Sequence, residues 1–288
     1  MSRNIMLTIA FDGTNYHGWQ IQPNGLTVQQ CVEEAIARLT ETQTRVLCAS
    51  RTDSGVHAIG QVACFHTDSK IPAAQFRRGL QRFLPEDISI VRSQQVSPDF
   101  HATFSAIRKR YRYLLYDGHV MSPFLRHRVS RSKKHLDVAA MKNALPHLLG
   151  KHDFRCFESQ WPNKATSVRT IMDATMRRVP HWDLWNSDSG WLPTDPRPHE
   201  DPDSPLICFE IMADGFLYNT VRAIVGTLLD IGCGRKASGF MKEVVDSQDR
   251  SMAGSTAPAS GLYLLHVEYP PEQLIAPEEP PCRNSHQS

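Results

Sequence analysis

At 288 residues, with 41% hydrophobic and 22% charged side chains, the chain has the composition of an ordinary globular protein, with neither the charge excess of a disordered chain nor the apolar run of a membrane span. A formal charge of +2 is too small to identify a polyanionic partner, so where the charge sits matters more than its sum. Seven cysteines without a CxxC pair argue against a disulfide framework or a zinc ribbon and fit a reducing cytoplasm, and the short apolar stretch at residues 5–9 does not make a secretory signal.

Ile5, Leu7, Ile9 and Phe11 alternate with Met6, Thr8 and Ala10, the period of an opening strand, which Asp12, Gly13, Thr14 and Asn15 end in a turn. A helix follows: Thr27 and Gln30 have the spacing of a capping box, and Val28, Cys31, Val32, Ala35, Ile36 and Leu39 form one apolar face. Strands are predicted over residues 44–49, 60–66 and 88–92, with a helix over 73–82. Residues 106–116 read as a strand whose alternation sets Tyr111 and Tyr113 on one face and Arg110 and Arg112 on the other. Asp137 is placed to cap a helix running toward Gly150, with a kink at Pro146 where a backbone hydrogen bond is lost. Strands over 168–179 and 206–212, a helix over 219–231 stopped by Gly232, and a strand over 262–269 complete the pattern. Residues 181–205, with six acidic side chains against one arginine, read as an exposed insert, and 270–288 as a disordered tail.

Between Ala106 and His135 nine Lys or Arg accompany a single acidic residue, Asp117. Such a stretch either tracks phosphates or forms a solvated basic face; interleaved Tyr111, Tyr113 and Tyr116 favour nucleic acid. The segment Arg51-Thr52-Asp53-Ser54-Gly55-Val56-His57 gathers a cation, a carboxylate and an imidazole around a glycine between two strands. Alone it admits two readings: a catalytic loop, or a turn in which Asp53 bonds neighbouring amides and Gly55 supplies a positive φ. The thirteen histidines contain no HExxH, and Gly232-Cys233-Gly234 follows a helix, so no metal site and no nucleotide cofactor are expected.

Six ordered blocks resemble the tRNA pseudouridine synthase A family. They are Phe11-Asp12-Gly13-Thr14-Asn15-Tyr16-His17-Gly18-Trp19-Gln20, the Arg51 to Ala58 signature, and Phe100-His101-Ala102-Thr103-Phe104-Ser105-Ala106 with Arg110-Tyr111-Arg112-Tyr113 after it. His152-Asp153-Phe154, Val221-Arg222-Ala223-Ile224-Val225-Gly226 and Gly261-Leu262-Tyr263-Leu264 follow. The sequence departs from the family at Ser50, where a glycine is usual, at Gln81 and at Thr103, where an asparagine and an arginine are usual. It departs again in the stretch around Tyr218 and in the loop 161–165, which keeps Lys164 as its cation.

The resemblance implies an α+β fold: two ferredoxin-like or RRM-like halves, residues 1–105 and 106–269, whose antiparallel sheets join around a basic cleft. It implies isomerisation of uridine in the anticodon arm of tRNA, at nucleotides 38 to 40, by a cytoplasmic homodimer without cofactor. Asp53 would be the catalytic carboxylate and Arg222 its partner, keeping its pKa low. Tyr111 would stack on the flipped uracil and Arg51 would assist flipping, with Phe100, His101, Thr103 and Lys164 on the RNA. On the residues alone Arg222 also reads as a surface helix arginine and Tyr111 as a core aromatic. A non-catalytic tRNA-binding protein on the same scaffold, and a uridine hydrolase, are the competing classes.

Overall fold

The computed structural model describes residues 2–159, 166–180 and 201–274. Lys164, residues 181–200 of the acidic insert and residues 275–288 of the expected tail lie outside the described residues. In chain order the elements are β1 (Arg3–Phe11), α1 (Val28–Thr40), β2 (Leu47–Cys48), β3 (His57–Thr67), α2 (Phe76–Gln81), β4 (Ile88–Val96), β5 (Arg108–Tyr116) and β6 (Ser130–Arg131). They continue with α3 (Val138–Ala144), β7 (Gly150–Asp153), β8 (Val168–Arg178), β9 (Leu206–Ala213), α4 (Thr220–Gly232), α5 (Phe240–Ser247) and β10 (Leu262–Glu268). The fold is α+β. Among the described residues no helix is long and apolar enough to cross a membrane.

The ten strands of the described residues form one sheet in the order β4-β1-β3-β10-β5-β9-β8-β7, with β2 beside β3 and β6 beside β5. Within each end of the sheet the path is antiparallel. The seam is different: β10 meets β3 in parallel, with Tyr263 opposite His57 and Leu264 opposite Ala58. β3 divides its edge, pairing Ala63 and Cys64 with β2 farther along. The loop between β2 and β3, which carries Asp53, therefore returns to the sheet at the point where its two ends join.

Alternation places Tyr111 and Tyr113 of β5 in the main core with Ile207, Phe209 and Ile211 of β9, whereas Leu114, Tyr116, Cys208 and Tyr263 form a second cluster. Tyr113 is the core aromatic its spacing predicts; its hydroxyl donates to Pro258 O at 2.7 Å. Helix α1 buries Val28, Val32, Ala35 and Ile36, and Thr27 Oγ1 accepts from the Gln30 amide at 3.4 Å. The capping box is half made, because Gln30 Nε2 turns to Glu34 at 2.9 Å instead of returning to the cap.

Several boundaries move for identifiable reasons. Pro146 does not kink a long helix. Helix α3 stops at Ala144 and the chain continues as a 3-10 turn over Leu145–Leu148, with the proline in its first turn where no intrahelical donor is needed. The strand expected over 44–49 shrinks to β2, because Val46 N turns to the Glu33 carboxylate at 2.9 Å instead of joining a ladder, although Ala49 N still reaches Val62 O at 2.7 Å. Helix α5 and strand β7 have no counterpart in the sequence expectations. Both are short, and Phe240, Met241, Val244 and Val245 supply a single buried patch.

Candidate active site

The Asp53 loop is built on the first motif. Trp19 N donates to Thr52 O at 3.0 Å, and Gly55 N and Ser54 Oγ donate to Tyr16 O at 3.4 and 3.1 Å. Gly18 stands at φ +86°, and a Cβ there would lie 2.5 Å from Thr52 O, so the two segments lie too close for a side chain at this position. Gly55, at φ +76°, turns the chain back, and Val56 N closes the turn onto Asp53 O at 3.1 Å. His57 locks the far end: its Nδ1 accepts from Gly13 N at 3.0 Å, leaving Nε2 to donate to His127 O at 2.8 Å, and its ring stacks on Tyr263 at 4.7 Å.

The Asp53 side chain takes no part in that turn. Its Oδ2 accepts from Arg222 Nη1 at 3.0 Å, and among the described residues Oδ1 accepts no hydrogen bond. The reading in which Asp53 caps neighbouring amides is therefore excluded. Arg222 comes from α4 and is not a free surface arginine: its Nη1 also donates to Asn219 Oδ1 at 2.9 Å, and its Nε to Ala257 O at 2.7 Å. Asn219 precedes the helix at φ 63°, a left-handed conformation that asparagine tolerates better than most residues. Its Nδ2 is tied to Ser159 Oγ at 2.8 Å.

Asp53 and Arg222 are 22% and 17% exposed, enough to face a cavity of about 610 Å³ while losing most of their hydration. Burial pushes the Asp53 carboxyl above its ordinary value, and the attraction of Arg222 offsets only part of that rise. This corrects the expectation that ion pairing keeps its pKa low: the cation acts in the expected direction, but the loss of water is the larger effect.

The cavity gathers most of the sequence-predicted site residues. Arg51, Asp53, His101, Thr103, Tyr111 and Arg222 all line it. The Arg51 side chain is exposed and hydrogen-bonds no group among the described residues. Tyr111 presents its ring edge-on to Phe216 at 5.1 Å, and its hydroxyl lies 2.8 Å from Ser50 Oγ. Burial pushes the Tyr111 phenol well up, and the Ser50 hydrogen bond opposes this only in part. His101 accepts from Thr103 N at 3.1 Å and stacks at 4.3 Å on Phe104, an aromatic 83% exposed at the cavity wall. Phe100 is placed elsewhere. Its ring is buried against Tyr269 at 4.8 Å and does not line the cavity, so it supports the His101 loop from beneath.

Two expectations about positive charge change. Thr103 Oγ1 donates to Cys48 O at 2.6 Å and so tethers the end of β2, ahead of the Asp53 loop. The basic run is divided: Arg108 pairs with Glu268, Arg112 with Glu210, and Arg110 with Asp173 and Glu210, whereas Arg126, Arg131, Lys133 and Lys134 are exposed. Arg128 pairs with Asp12 at 3.1 Å. Lys109, which shares the Tyr111 face, donates to Ala49 O at 2.5 Å. Sequence reading missed Lys109, Phe104, Phe216, Asn219 and Gln61 around the site. The alternation of β5, which puts Lys109 in step with Tyr111, carried a usable signal for the first.

Comparison with known proteins agrees with this geometry. A family profile described as tRNA pseudouridine synthase matches residues 7–105 and 144–270. The chain is 45% identical to tRNA pseudouridine synthase A of Acetivibrio thermocellus over 93% of its own length and all of that protein's. It is 43% identical to tRNA pseudouridine synthase A 2 of Clostridium perfringens and 39% identical to tRNA pseudouridine synthase A of Thermoanaerobacter sp., with the same coverage. With both motifs meeting at one carboxylate and the match running through both ends of the sheet, the chain belongs to the tRNA pseudouridine synthase family.

Proposed function

We propose that the protein isomerises uridine to pseudouridine in the anticodon stem-loop of tRNA, at nucleotides 38, 39 and 40, with Asp53 as the nucleophile. The observation that carries this is a carboxylate ion-paired through one oxygen to Arg222, its other oxygen hydrogen-bonded to no described group, on the wall of a cavity that Tyr111 also lines. In the reaction the bond from the ribose to N1 of uracil breaks, the base turns, and a bond to C5 replaces it. The C5 hydrogen leaves and N1 gains one, so substrate and product are isomers. Arg222 holds the carboxylate in aim, and the covalent intermediate divides one difficult substitution into two steps.

A stacked uracil must leave the helix to reach Asp53. Arg51, exposed at the rim, fills the vacated place, and Tyr111 stacks on the extruded base. Residues 1–105 supply Asp53 and Arg51, residues 106–269 supply Tyr111 and Arg222, and the protein acts as a cytoplasmic homodimer on its tRNA. His101 and Lys164 contact the RNA backbone.

The experiment is incubation with unmodified tRNA followed by mapping of pseudouridine. The expected result is product at nucleotides 38 to 40 with the natural protein and none with Asp53→Asn, which still binds tRNA. Tight binding without product would replace this reading with a tRNA-binding protein, and release of free uracil with a hydrolase.

A further inference from the structure

The segment ahead of Asp53 is tethered at three consecutive carbonyls, each by a different part of the protein. Cys48 O accepts from Thr103 Oγ1 at 2.6 Å, Ala49 O from Lys109 Nζ at 2.5 Å, and Ser50 O from Gln61 Nε2 at 2.6 Å. Gln61 is fully buried, and its Oε1 also accepts from the Ser50 amide at 3.4 Å. With both its amide and its carbonyl held, Ser50 has little freedom to turn, and its hydroxyl has a fixed place, 2.8 Å from that of Tyr111.

The partner matters more to Tyr111 than to Ser50. The tyrosine ring is confined by packing against Phe216, but packing does not choose the direction of a phenolic O–H bond. Among the described residues no other group hydrogen-bonds that hydroxyl, so Ser50 decides which way its proton points and which lone pair faces the cavity. An alanine or glycine at position 50 would leave that choice to water.

We propose that Ser50 is a positioning residue for the isomerisation: its hydroxyl orients the Tyr111 phenol for the proton transfer that removes hydrogen from C5 of uracil. The inference rests on the pseudouridine synthase reading and adds a residue to it. With the Tyr111 O–H donating to Ser50 Oγ, a phenol lone pair faces the cavity before the base arrives. As the C5–H bond breaks, that lone pair takes the C5 proton while the phenol's own proton passes by way of the Ser50 hydroxyl to water, and N1 takes a proton from water, so none is gained or lost overall.

The test uses the full chain, unmodified tRNA, and the same tRNA carrying deuterium at uracil C5. Ser50→Ala is expected to slow single-turnover product formation about fivefold, the worth of one neutral hydrogen bond, with tRNA affinity unchanged. It is also expected to enlarge the C5 deuterium isotope effect, which a change confined to folding would not move. In a Tyr111→Phe background, Ser50→Ala should slow the residual rate no further. Ser50→Thr, which keeps a hydroxyl, should restore the natural isotope effect, and Ser50→Gly should behave as Ser50→Ala. Equal slowing in both backgrounds, loss explained by tRNA affinity or melting temperature, or an unaltered rate and isotope effect would each overturn the proposal. If the natural protein forms no pseudouridine, the reading of the site fails; if it does and Ser50→Ala matches it, only the role of Ser50 fails.

Discussion

Asp53 illustrates how a residue can be identified in the sequence while its electrostatics are not. The motif points to the carboxylate, and the resemblance pairs it with Arg222, but the sequence does not say how much water the pair loses. Because burial outweighs the ion pair, the carboxyl titrates above an ordinary aspartate, about 3.9. In the proposed reaction the ionised form is the nucleophile, so activity is expected above that raised pKa and should fall as the pH drops through it. The acid limb of the single-turnover rate is therefore expected at higher pH than an unperturbed aspartate would give. Arg222→Gln should move it higher still, because the group that opposes the burial effect is gone. Asp53→Asn should lower turnover by about a thousandfold or more, with tRNA affinity within about threefold, as measured by product mapping and filter binding. Alternation gave the face of Lys109 but not its partner, and gave nothing for Thr103, because each is held by a main-chain carbonyl more than fifty residues away.

At the scale of the element, strand β5 shows what alternation reveals and what it hides. The two faces were legible, and so was the burial of Tyr113; the destination of the arginines was not. Arg110 and Arg112 meet Glu210 across the β5/β9 ladder, and Arg177 of β8 lies 3.7 Å from the same carboxylate. These neighbours are set by register between strands distant in sequence, which composition cannot give. Burial pushes the Glu210 carboxyl up, but the combined pull of Arg112, Arg177 and Arg110 leaves it below its ordinary value. Glu210→Ala strands the buried guanidinium groups of Arg112 and Arg177, while Arg110 keeps Asp173, and should cost about 3–5 kcal/mol in denaturant unfolding. Thr27→Ala, which removes the cap of α1, should cost about 1 kcal/mol by the same measurement. The helices themselves were readable because capping and the apolar stripe are local; α5 escaped because eight residues present barely two turns of either signal.

The whole molecule depends on the seam. Leu264 is fully buried, and it stands between Ala58 of β3 and Tyr111 of β5 in the two ladders that join the ends of the sheet. Leu264→Ala and Ile36→Ala, the latter in the core of α1, should each destabilise by about 2–5 kcal/mol. Below the melting range Leu264→Ala should also depress turnover, while Ile36→Ala should leave it near the natural rate; equal activities would separate the seam from catalysis. Acid should loosen the far end of the sheet. The folded carboxyls of Glu210 and Asp117 both lie below their unfolded values, burial being outweighed by Arg112, Arg177 and Arg110 together in the one case and by Arg178, the Leu136 amide and His135 together in the other. Their stabilisation is complete above the ordinary carboxylate range, about pH 4 to 5, and is lost as the pH falls through the folded values, which a denaturation series across pH would record. The position of β10 also bears on synthesis. It is the last strand in chain order among the described residues, yet it lies in the middle of the sheet, so while the ribosome is still making residues before 262, β3 and β5 have no strand between them. During that interval both present unsatisfied backbone edges on which a nascent chain can mispair, and Asp53 and Tyr111 first come together only after every other described strand has been translated.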